Sequence, residues 1–325
     1  MIAAAGLDLL LGDPRWCPHP VVWMGRCITI LRRCVERLAG DHRLGLRLGG
    51  GLITLLLVLG SGACGWAFER LVLPGSPLPS PWAAAVLVVA LASALAARSL
   101  RDSVLEVLNA LPDLVAARQA LAWIVGRDTT ALDQEEILRA AAETASENAV
   151  DGLFAPLFWM LLGAGLWQLG DTAGPGPLAL AWAFKASSTL DSMLGYRRGR
   201  LQWLGTAGAR LDDALTWLPC RLVLLTLPLV CRPWRAWPRL VRAAERDGRS
   251  DPSPNAGRSQ AIYAHCTGVR LGGANRYGER WVDKPLLASD QAAVSKPAVR
   301  HILQLTLRLE LVWLLPALVI SAAQR

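Results

Sequence analysis

Long apolar stretches alternate with arginine-rich polar segments along most of the chain. Residues 48–68 carry no charge, and about 20 such residues suffice to cross a hydrocarbon core of roughly 30 Å as a helix. Three further apolar stretches lie at 82–97, 153–170 and 303–320, and the last of them carries Arg308 and Glu310 near its start. The pattern predicts an all-α, polytopic integral membrane protein with cytoplasmic helical and loop regions.

Two other apolar segments are interrupted by polar residues or proline. The segment 178–195 contains a lysine and an aspartate, and 215–231 contains two prolines and an arginine. If both crossed the membrane, the basic stretch 232–300 would lie outside, against the positive-inside rule. We therefore expect four or five spans, with one of the two segments broken or re-entrant where it lines a cavity. The pattern leaves open which one.

Arginines flank the first two spans on one side, and a Pro-rich uncharged turn joins them on the other. The positive-inside rule places both arginine-rich flanks in the cytoplasm. The polar segment 98–152 is predicted to be mostly helical, with Asp128 or Thr130 as a helix N-cap. The expected location is the cell (inner) membrane, multi-pass, with the active site facing the cytoplasm.

Composition supports a membrane location. Hydrophobic residues make up 53% of the chain and charged residues 18%, against about 25% charged in soluble domains. The net charge of +8 comes almost entirely from arginine, and no zinc-finger or RNP motif indicates nucleic-acid binding. Topogenic signals and anionic substrates explain the arginines better. Seven cysteines without a CxxC pair indicate neither a disulfide framework nor a zinc site.

An acidic cluster precedes the third span. On a helix, Glu143, Glu147 and Asp151 lie within roughly 80° of one another. We take the three carboxylates to have no Lys or Arg partner at i±4. They would then repel one another unless a cation lay among them. Oxygen ligands of this kind suit Mg²⁺ together with substrate phosphates. The alternative is a solvated acidic face, and both interpretations stay open. Asn148 in the same block is a candidate substrate contact.

Two further clusters combine acids and bases. Lys185 and Asp191 lie in an apolar segment, where a lysine marks a pathway or paired site unless it snorkels to the interface. Arg197 and Arg198 follow, and guanidinium groups suit phosphate. The next block places Arg210, Asp213 and Trp217 on one helical face, with Asp212 pointing away. It is either a metal or phosphate site or an Arg–Asp pair that fixes a helix end.

Segments rich in Pro, Asn and Gly form the remaining candidates. Residues 247–257 and 272–277 predict rigid, turn-rich loops, in which backbone N–H groups and asparagines cradle a phosphate or an amide. The alternative is a plain linker. The candidate ligand-binding residues here are Ser253, Asn255 and Asn275. The Pro-rich segment 7–20 near the start adds Arg15 and His19.

Taken together, these blocks resemble the CobD/CbiB family, the adenosylcobinamide-phosphate synthases of cobalamin biosynthesis. The family pattern LDxxxGDPxxxPHPVxxxG matches residues 7–25, and ETxSENxxDGxxxPLF matches 143–158. The patterns KxxxTLDSMxGY[KR], ARLDDxxxxxP and HxSPNAG match 185–197, 209–219 and 251–257. Asp251 stands where the family frequently has His, so any role of that His is in doubt. The resemblance covers nearly the whole chain as a single domain, 1–325.

The resemblance implies a membrane ligase that joins (R)-1-aminopropan-2-ol phosphate, or free aminopropanol, to the free propionate carboxyl of adenosylcobyric acid. The product would be adenosylcobinamide phosphate. Its partners would be the corrinoid, the amine, ATP and membrane lipid, without nucleic acid. Whether the chain forms a homo-oligomer is left open.

A carboxylate needs activation before an amine attacks it, so we predict ATP as co-substrate, Mg²⁺ and an acyl phosphate. There is no GxxxxGK[ST] motif, so ATP is not bound by a P-loop. The predicted catalytic residues are Glu147, Lys185 and Asp191, with Glu147 taking the proton of the amine. The predicted metal ligands are Glu143, Glu147, Asp151, Asp212 and Asp213. We expect these groups to converge on one pocket.

Two alternatives come from other functional classes. The first is a Mg²⁺-dependent membrane transferase that uses a prenyl diphosphate, because Asn148, Asp151, Asp212 and Asp213 faintly resemble its acidic motifs. The second is a corrinoid or metabolite transporter, in which intramembrane charges would line a path. In this chain most charged residues lie at the ends of the predicted spans, which counts against a transporter.

Overall fold

The computed structural model describes residues 1–13, 19–73, 79–170, 172–231, 234–277 and 280–322. Helices account for nearly all of the regular structure, which confirms the all-α prediction. The helices of the first half are α1 (Ile2–Leu11), α2 (Pro20–Ala39), α3 (Arg43–Glu69), α4 (Ser80–Ala92), α5 (Ala97–Ala110), α6 (Leu114–Ala122), α7 (Gln134–Ala149) and α8 (Ala155–Gln168). The remaining elements are α9 (Pro177–Leu194), α10 (Leu201–Leu204), α11 (Thr206–Val230), α12 (Trp237–Gly248), α13 (Ala256–Thr267), β1 (Leu271–Tyr277), β2 (Arg280–Leu287), α14 (Lys296–Trp313) and α15 (Leu315–Ala322).

Within the described residues, four helices are long and apolar enough to cross a membrane. They are Arg43–Val72, Gln134–Gln168, Thr206–Val230 and Lys296–Leu318. A fifth span is possible only if α4 and α5 count as one. The predicted span 82–97 is therefore wrong as a single helix, because α4 ends at Ala92 and a turn follows. The predicted spans at 48–68, 153–170 and 303–320 each lie within or overlap a longer helix.

The two segments expected to be irregular are both continuous helices. Helix α11 carries Pro219 and Pro228 without a break, and it is among the candidate spans. Helix α9 is not among them, and it carries Lys185 and Asp191. The expectation that one of the two segments does not cross agrees with α9, and the expected four or five spans agree with the candidates found. The expectation that this segment is broken or re-entrant is wrong, because both helices are continuous.

The chain divides into two compact units, each described by itself. The first consists of residues 1–96, 155–216 and 314–325. In it α9 packs against α2, α3, α4 and α8. The buried carboxylate of Glu69 in α3 accepts hydrogen bonds from the backbone N–H groups of Gly176, Leu178 and Ala179, at 2.9, 2.6 and 3.1 Å. These N–H groups lie at the start of α9 and have no partner within the helix, so α3 fixes where α9 begins.

The second unit consists of residues 97–154 and 217–313. Helix α7 packs here against α5, α6, α13, α14 and β1. Its N-cap is Asp133, whose carboxylate accepts from Glu136 N while the Glu136 side chain accepts from Asp133 N. The prediction of Asp128 or Thr130 as the cap is wrong, because the capping box lies a few residues later. Asp128 instead closes a local turn with Thr130.

Strands β1 and β2 form an antiparallel hairpin in the second unit. The ladder shifts register between Leu271 and Gly273, and Gly272 has a φ of 82°. This left-handed conformation is accessible to glycine and makes a β-bulge possible. The prediction of a turn-rich loop at 272–277 is therefore wrong.

Candidate functional site

Four of the predicted site residues come together in the first unit, between α9 and α11. Lys185 and Asp191 lie on α9, and Asp212 and Asp213 lie on α11. The charges of Asp191, Asp213 and Lys185 all act on the Asp212 carboxylate. We refer to these four residues as the α9–α11 cluster. It joins two sequence blocks that had been considered separately.

Glycines make this approach of the two helices possible. A Cβ on Gly205, just before α11, would collide with the Leu194 carbonyl at the end of α9. A Cβ on Gly208 would lie 3.1 Å from the Leu190 Cβ. Larger residues at these positions would push the start of α11 away from α9. The backbone of Asp212 is therefore held beside Asp191 by close helix packing.

Asp212 is the buried member of the cluster. Its side chain is about 9% exposed, and its Oδ1 has no hydrogen-bond partner among the described residues. The prediction that Asp212 points away from the site is wrong, because its side of α11 faces α9. Arg210 and Trp217, which were expected to share the functional face with Asp213, are exposed. A buried carboxylate oxygen without a partner is costly and indicates a site for a cation or a donor group.

The arginines that follow α9 lie at the surface. Arg197 and Arg198 are both exposed, and the Arg198 guanidinium lies 4.9 Å from the centre of the Tyr196 ring. Their predicted role in phosphate binding stays a prediction, as does that of Arg210.

Glu143 in the second unit is part of a buried ion-pair network. Arg127 donates to one carboxylate oxygen, while Arg139 Nη1, at 3.5 Å, and the backbone N–H of Gly272, at 2.9 Å, donate to the other. Arg127 also donates to Asn275 Oδ1 at 2.6 Å. The premise that Glu143 has no basic partner at i±4 is wrong, since Arg139 precedes it by four residues. One oxygen binds the hairpin directly and the other binds it through Arg127, so the contacts indicate a structural role.

Asn275 stands beside this network on β1. Its Oδ1 accepts from Arg127, so its Nδ2 is fixed as the outward donor. That nitrogen is buried and has no partner among the described residues, and Asn275 lines a small cavity of about 80 Å³. The predicted role of Asn275 in binding a phosphate or an amide stays a prediction.

Glu147 and Asp151 have different surroundings from Glu143. Gln260 in α13 is 2% exposed and donates from Nε2 to Glu147 Oε2 at 2.7 Å. Asp151 lies in a π-helical turn, Val150–Phe154, and its charge acts on Cys220 of α11. Asn148 is exposed. The three carboxylates therefore do not form one uniform acidic face.

The segment before α13 is a rigid turn rather than a linker. Ser253 Oγ accepts from the N–H groups of Asn255 and Ala256, both at 3.2 Å. Asn255 Oδ1 accepts from Arg221 Nη1 at 2.6 Å, and its carbonyl accepts from Cys220 at 3.4 Å. Since Asp151 also acts on Cys220, Asp151 and Asn255 both lie near this cysteine within the second unit.

A more exposed ion pair links α12 to α13. Arg258 donates from Nε and Nη2 to the two carboxylate oxygens of Glu245, at 2.8 and 2.7 Å. These hydrogen bonds lower the pKa of Glu245 below its ordinary value and raise the pKa of Arg258.

At the N-terminal end, His19 caps a helix. Its Nδ1 accepts from Val21 N at 3.3 Å at the start of α2, and its Nε2 lies 3.2 Å from Asp13 Oδ1. The cap occupies Nδ1, whereas Nε2 is buried and makes no hydrogen bond among the described residues, so the predicted role of His19 in ligand binding stays a prediction. Arg15 lies outside the described residues, so its predicted role stays a prediction.

Several residues that build these sites were not predicted from the sequence. Arg139 was detectable, because it lies one helical turn before Glu143. Arg127 and Gln260 were not, because they lie 16 and 113 residues from the carboxylates that they contact. Arg221, in the middle of an apolar helix, was noted only as an irregularity.

Metal binding stays a prediction. In the described part of the chain, no three or more His, Cys, Asp or Glu side chains are arranged to hold an ion by themselves. The α9–α11 cluster belongs to the first unit and Glu147 to the second, and their convergence on one pocket also stays a prediction.

These features define a class: a polytopic helical membrane protein whose helices carry buried clusters of acids and bases. The family model described as CobD/Cbib protein matches residues 1–306, and the chain belongs to the CobD/CbiB family. It is 43% identical to the cobalamin biosynthesis protein CobD of Synechocystis over 87% of this chain and 80% of the relative. It is 39% identical to CobD of Geobacter metallireducens over 99% and 96%, and 40% identical to CbiB of Salmonella typhimurium over 92% and 89%. No solved structure matches the chain.

Proposed function

We propose that the chain is an amide-forming ligase of cobalamin biosynthesis. It attaches (R)-1-aminopropan-2-ol phosphate, or aminopropanol, to the free propionate carboxyl of adenosylcobyric acid. Family membership supports the pathway and an enzymatic role. The observation that carries the chemistry is the α9–α11 cluster, in which a buried carboxylate oxygen without a partner lies close to a lysine and two further carboxylates.

The proposed reaction has two steps. An oxygen of the propionate attacks the γ-phosphorus of ATP, a P–O bond forms, and ADP leaves. The amine nitrogen then attacks the acyl carbon, the C–O bond to phosphate breaks, and inorganic phosphate leaves with its electron pair. The nitrogen loses a proton to a general base, and one ATP is consumed for each amide.

Each charged residue has a role in this scheme. Lys185 is suited to neutralising phosphate charge as it develops, because a fixed cation in a water-poor site acts strongly. Glu147 is the proposed base, and the hydrogen bond from Gln260 holds its carboxylate in one orientation. Asn275 offers its fixed Nδ2 donor to an amide or carboxyl oxygen of the corrinoid.

The α9–α11 cluster also fits Mg²⁺. One or two of the carboxylates of Asp191, Asp212 and Asp213 would supply hard oxygen ligands, and the Oδ1 of Asp212, which has no hydrogen-bond partner among the described residues, is the first candidate. Mg²⁺ is commonly held by one or two carboxylates, the substrate phosphates and water, so a complete protein cage is not required. When bound, the ion would neutralise the phosphates of the nucleotide.

We also propose that the reaction faces the cytoplasm from the cell membrane. The arginines of α2, of the start of α3 and of α5 support this orientation, as does the cytoplasmic supply of ATP. Cysteine labelling with a membrane-impermeant maleimide tests it: Gly40→Cys in a variant without its other cysteines should react only after cell lysis. Reaction in intact cells would contradict this orientation.

Product formation tests the proposed function. Purified protein in detergent is incubated with adenosylcobyric acid, aminopropanol phosphate and Mg-ATP, and the amide is sought by mass. We expect product with the wild-type chain and losses of roughly 10²-fold or more with Glu147→Gln and Lys185→Ala. Glu106→Gln and Lys296→Ala are matched controls elsewhere in the chain. Near-normal turnover by both site variants would remove these residues from the mechanism.

A further inference from the structure

Helix α12 presents a row of arginines that the proposed reaction has not used. Arg239, Arg242 and Arg246 follow one another at spacings of three and four residues, which places them within about 60° of arc on one helical side. Arg235 precedes them in a 3-10 turn, Trp234–Ala236. Like charges at such spacings destabilise a helix. A bound anion would reduce this repulsion.

The row borders a large polar cavity within the second unit. The cavity measures about 970 Å³, which is within the range of small-molecule sites. Its walls are α12, the end of α13 and the loop that follows β2. The charged and titratable lining residues are Arg235, Arg239, Arg242, Arg246, Asp247, His265 and Asp290. Four guanidinium groups thus outnumber two carboxylates.

The carboxylate of Asp247 is already occupied by neighbours. It lies 2.8 Å from His265 Nε2, accepts from Ala288 N at 3.1 Å, and pairs with Arg246 Nε at 3.1 Å. Arg239 and Arg242, in contrast, have no ion pair among the described residues. Their positive charge is available to a ligand in the cavity.

Helix α12 is strongly amphipathic and arginine-rich on its polar side, but it differs from a helix that lies on a membrane surface in what covers its apolar side. Such a helix keeps large apolar residues exposed on one face for insertion into lipid. In α12 the buried positions Ala244 and Gly248 belong to the side packed on α13, and a Cβ on Gly248 would lie 2.7 Å from the Arg258 backbone. No large hydrophobic residue of α12 is among the exposed ones that the structure describes.

We propose that this cavity binds the polyphosphate of a nucleoside triphosphate, with Arg239 and Arg242 as its main contacts. Guanidinium groups bind phosphate oxygens in pairs of parallel hydrogen bonds, and several of them in a row match a chain of phosphates. This affinity for a polyphosphate is proposed for the cavity of the second unit by itself and does not rest on the proposed function.

Direct binding tests the proposal. The full chain in nonionic detergent is titrated calorimetrically with the Mg²⁺ complex of β,γ-imido-ATP, and separately with pyrophosphate, without any corrinoid. We expect the double variant Arg239→Gln/Arg242→Gln to bind both at least about tenfold more weakly. Arg33→Gln/Arg37→Gln removes two exposed arginines about one helical turn apart on α2 and is expected to bind within about twofold of wild type. If the double variant does not fold, Arg242→Gln alone should show a smaller loss in the same direction.

A second arm separates a nucleotide from a lipid headgroup. Wild type and the double variant are compared for retention on vesicles of phosphatidylglycerol and phosphatidylcholine. Unchanged nucleotide binding with reduced retention on the anionic vesicles would overturn the proposal in favour of a headgroup site. Equal losses in the α2 control would overturn it as a general charge effect.

The outcome is independent of the proposed ligase activity. If wild type makes the amide and the double variant binds nucleotide normally, the cavity assignment falls and the function stands. If nucleotide binding depends on Arg239 and Arg242 but no amide forms, the cavity assignment stands and the function falls.

Discussion

The Glu143 network and the α9–α11 cluster both contain buried carboxylates on helices, but they differ in whether the protein neutralises those carboxylates. The carboxylates lie on α7 in the first case and on α9 and α11 in the second. Glu143 is buried with two arginines and a backbone N–H as partners. Asp212 is buried with one oxygen unpartnered and two other carboxylates nearby. A buried carboxylate whose oxygens all accept hydrogen bonds from the protein indicates a structural role. One that keeps an oxygen without a donor is a better candidate for a functional site.

The largest effect is expected from Glu143→Gln. The substitution removes the charge that compensates Arg127 and Arg139, and breaking a buried pair in this way costs about 3–5 kcal/mol. We expect that loss in the free energy of unfolding, measured by titration with SDS, with normal turnover per folded molecule. Glu135→Gln, at an exposed position, is the control, expected to change stability by less than about 0.5 kcal/mol. Unchanged stability together with lost turnover would make Glu143 a functional residue instead.

Asp212→Asn should have the opposite signature. Neutralising one of three close carboxylates relieves repulsion, so we expect unchanged or increased stability in the same titration. Turnover should fall roughly 10²–10³-fold, because the charge that the site requires is missing. Asp283→Asn, at an exposed position on β2, serves as the control. A large loss of stability with full activity would place Asp212 in the same structural class as Glu143.

Gln260→Ala sharpens the comparison at Glu147. The change removes a hydrogen bond to a charged group, which contributes about 1.5–3 kcal/mol. We expect kcat to fall about tenfold with little change in KM for the amine, since Gln260 orients Glu147 without contacting substrate. A change in KM alone would instead indicate a role in binding.

The smallest effect concerns the exposed pair of Glu245 and Arg258. Because Arg258 lowers the pKa of Glu245 in the folded state, the pair stabilises the fold above the ordinary Glu pKa of 4.5. That contribution is lost as the pH falls through the lower folded-state pKa. Since Glu245 is partly exposed, we expect less than about 1 kcal/mol. Glu245→Gln should flatten the stability profile between about pH 5 and pH 3, and an unchanged profile would contradict the assignment.

The sequence predicted the helical membrane fold because apolar length alone decides it. It also predicted that Lys185, Asp191, Asp212 and Asp213 are site candidates. It did not predict which side of α11 faces inward, because that depends on the contact of Gly205 and Gly208 with α9. Nor did it predict the hairpin, whose bulge at Gly272 is held by Arg139 and Glu143 from another element. The local pattern of hydrophobic residues predicts the helices. Contacts with residues far along the chain decide which charged side chains are left to bind a ligand.

We propose that the chain activates a propionate by phosphoryl transfer before the amine attacks. Adenosylcobyric acid labelled with ¹⁸O in its free carboxyl tests this step, with the products analysed by mass. We expect that the amide appears and that inorganic phosphate carries one ¹⁸O for each amide formed, with ADP as the second product. Absence of the amide, or recovery of the ¹⁸O in AMP, would contradict it.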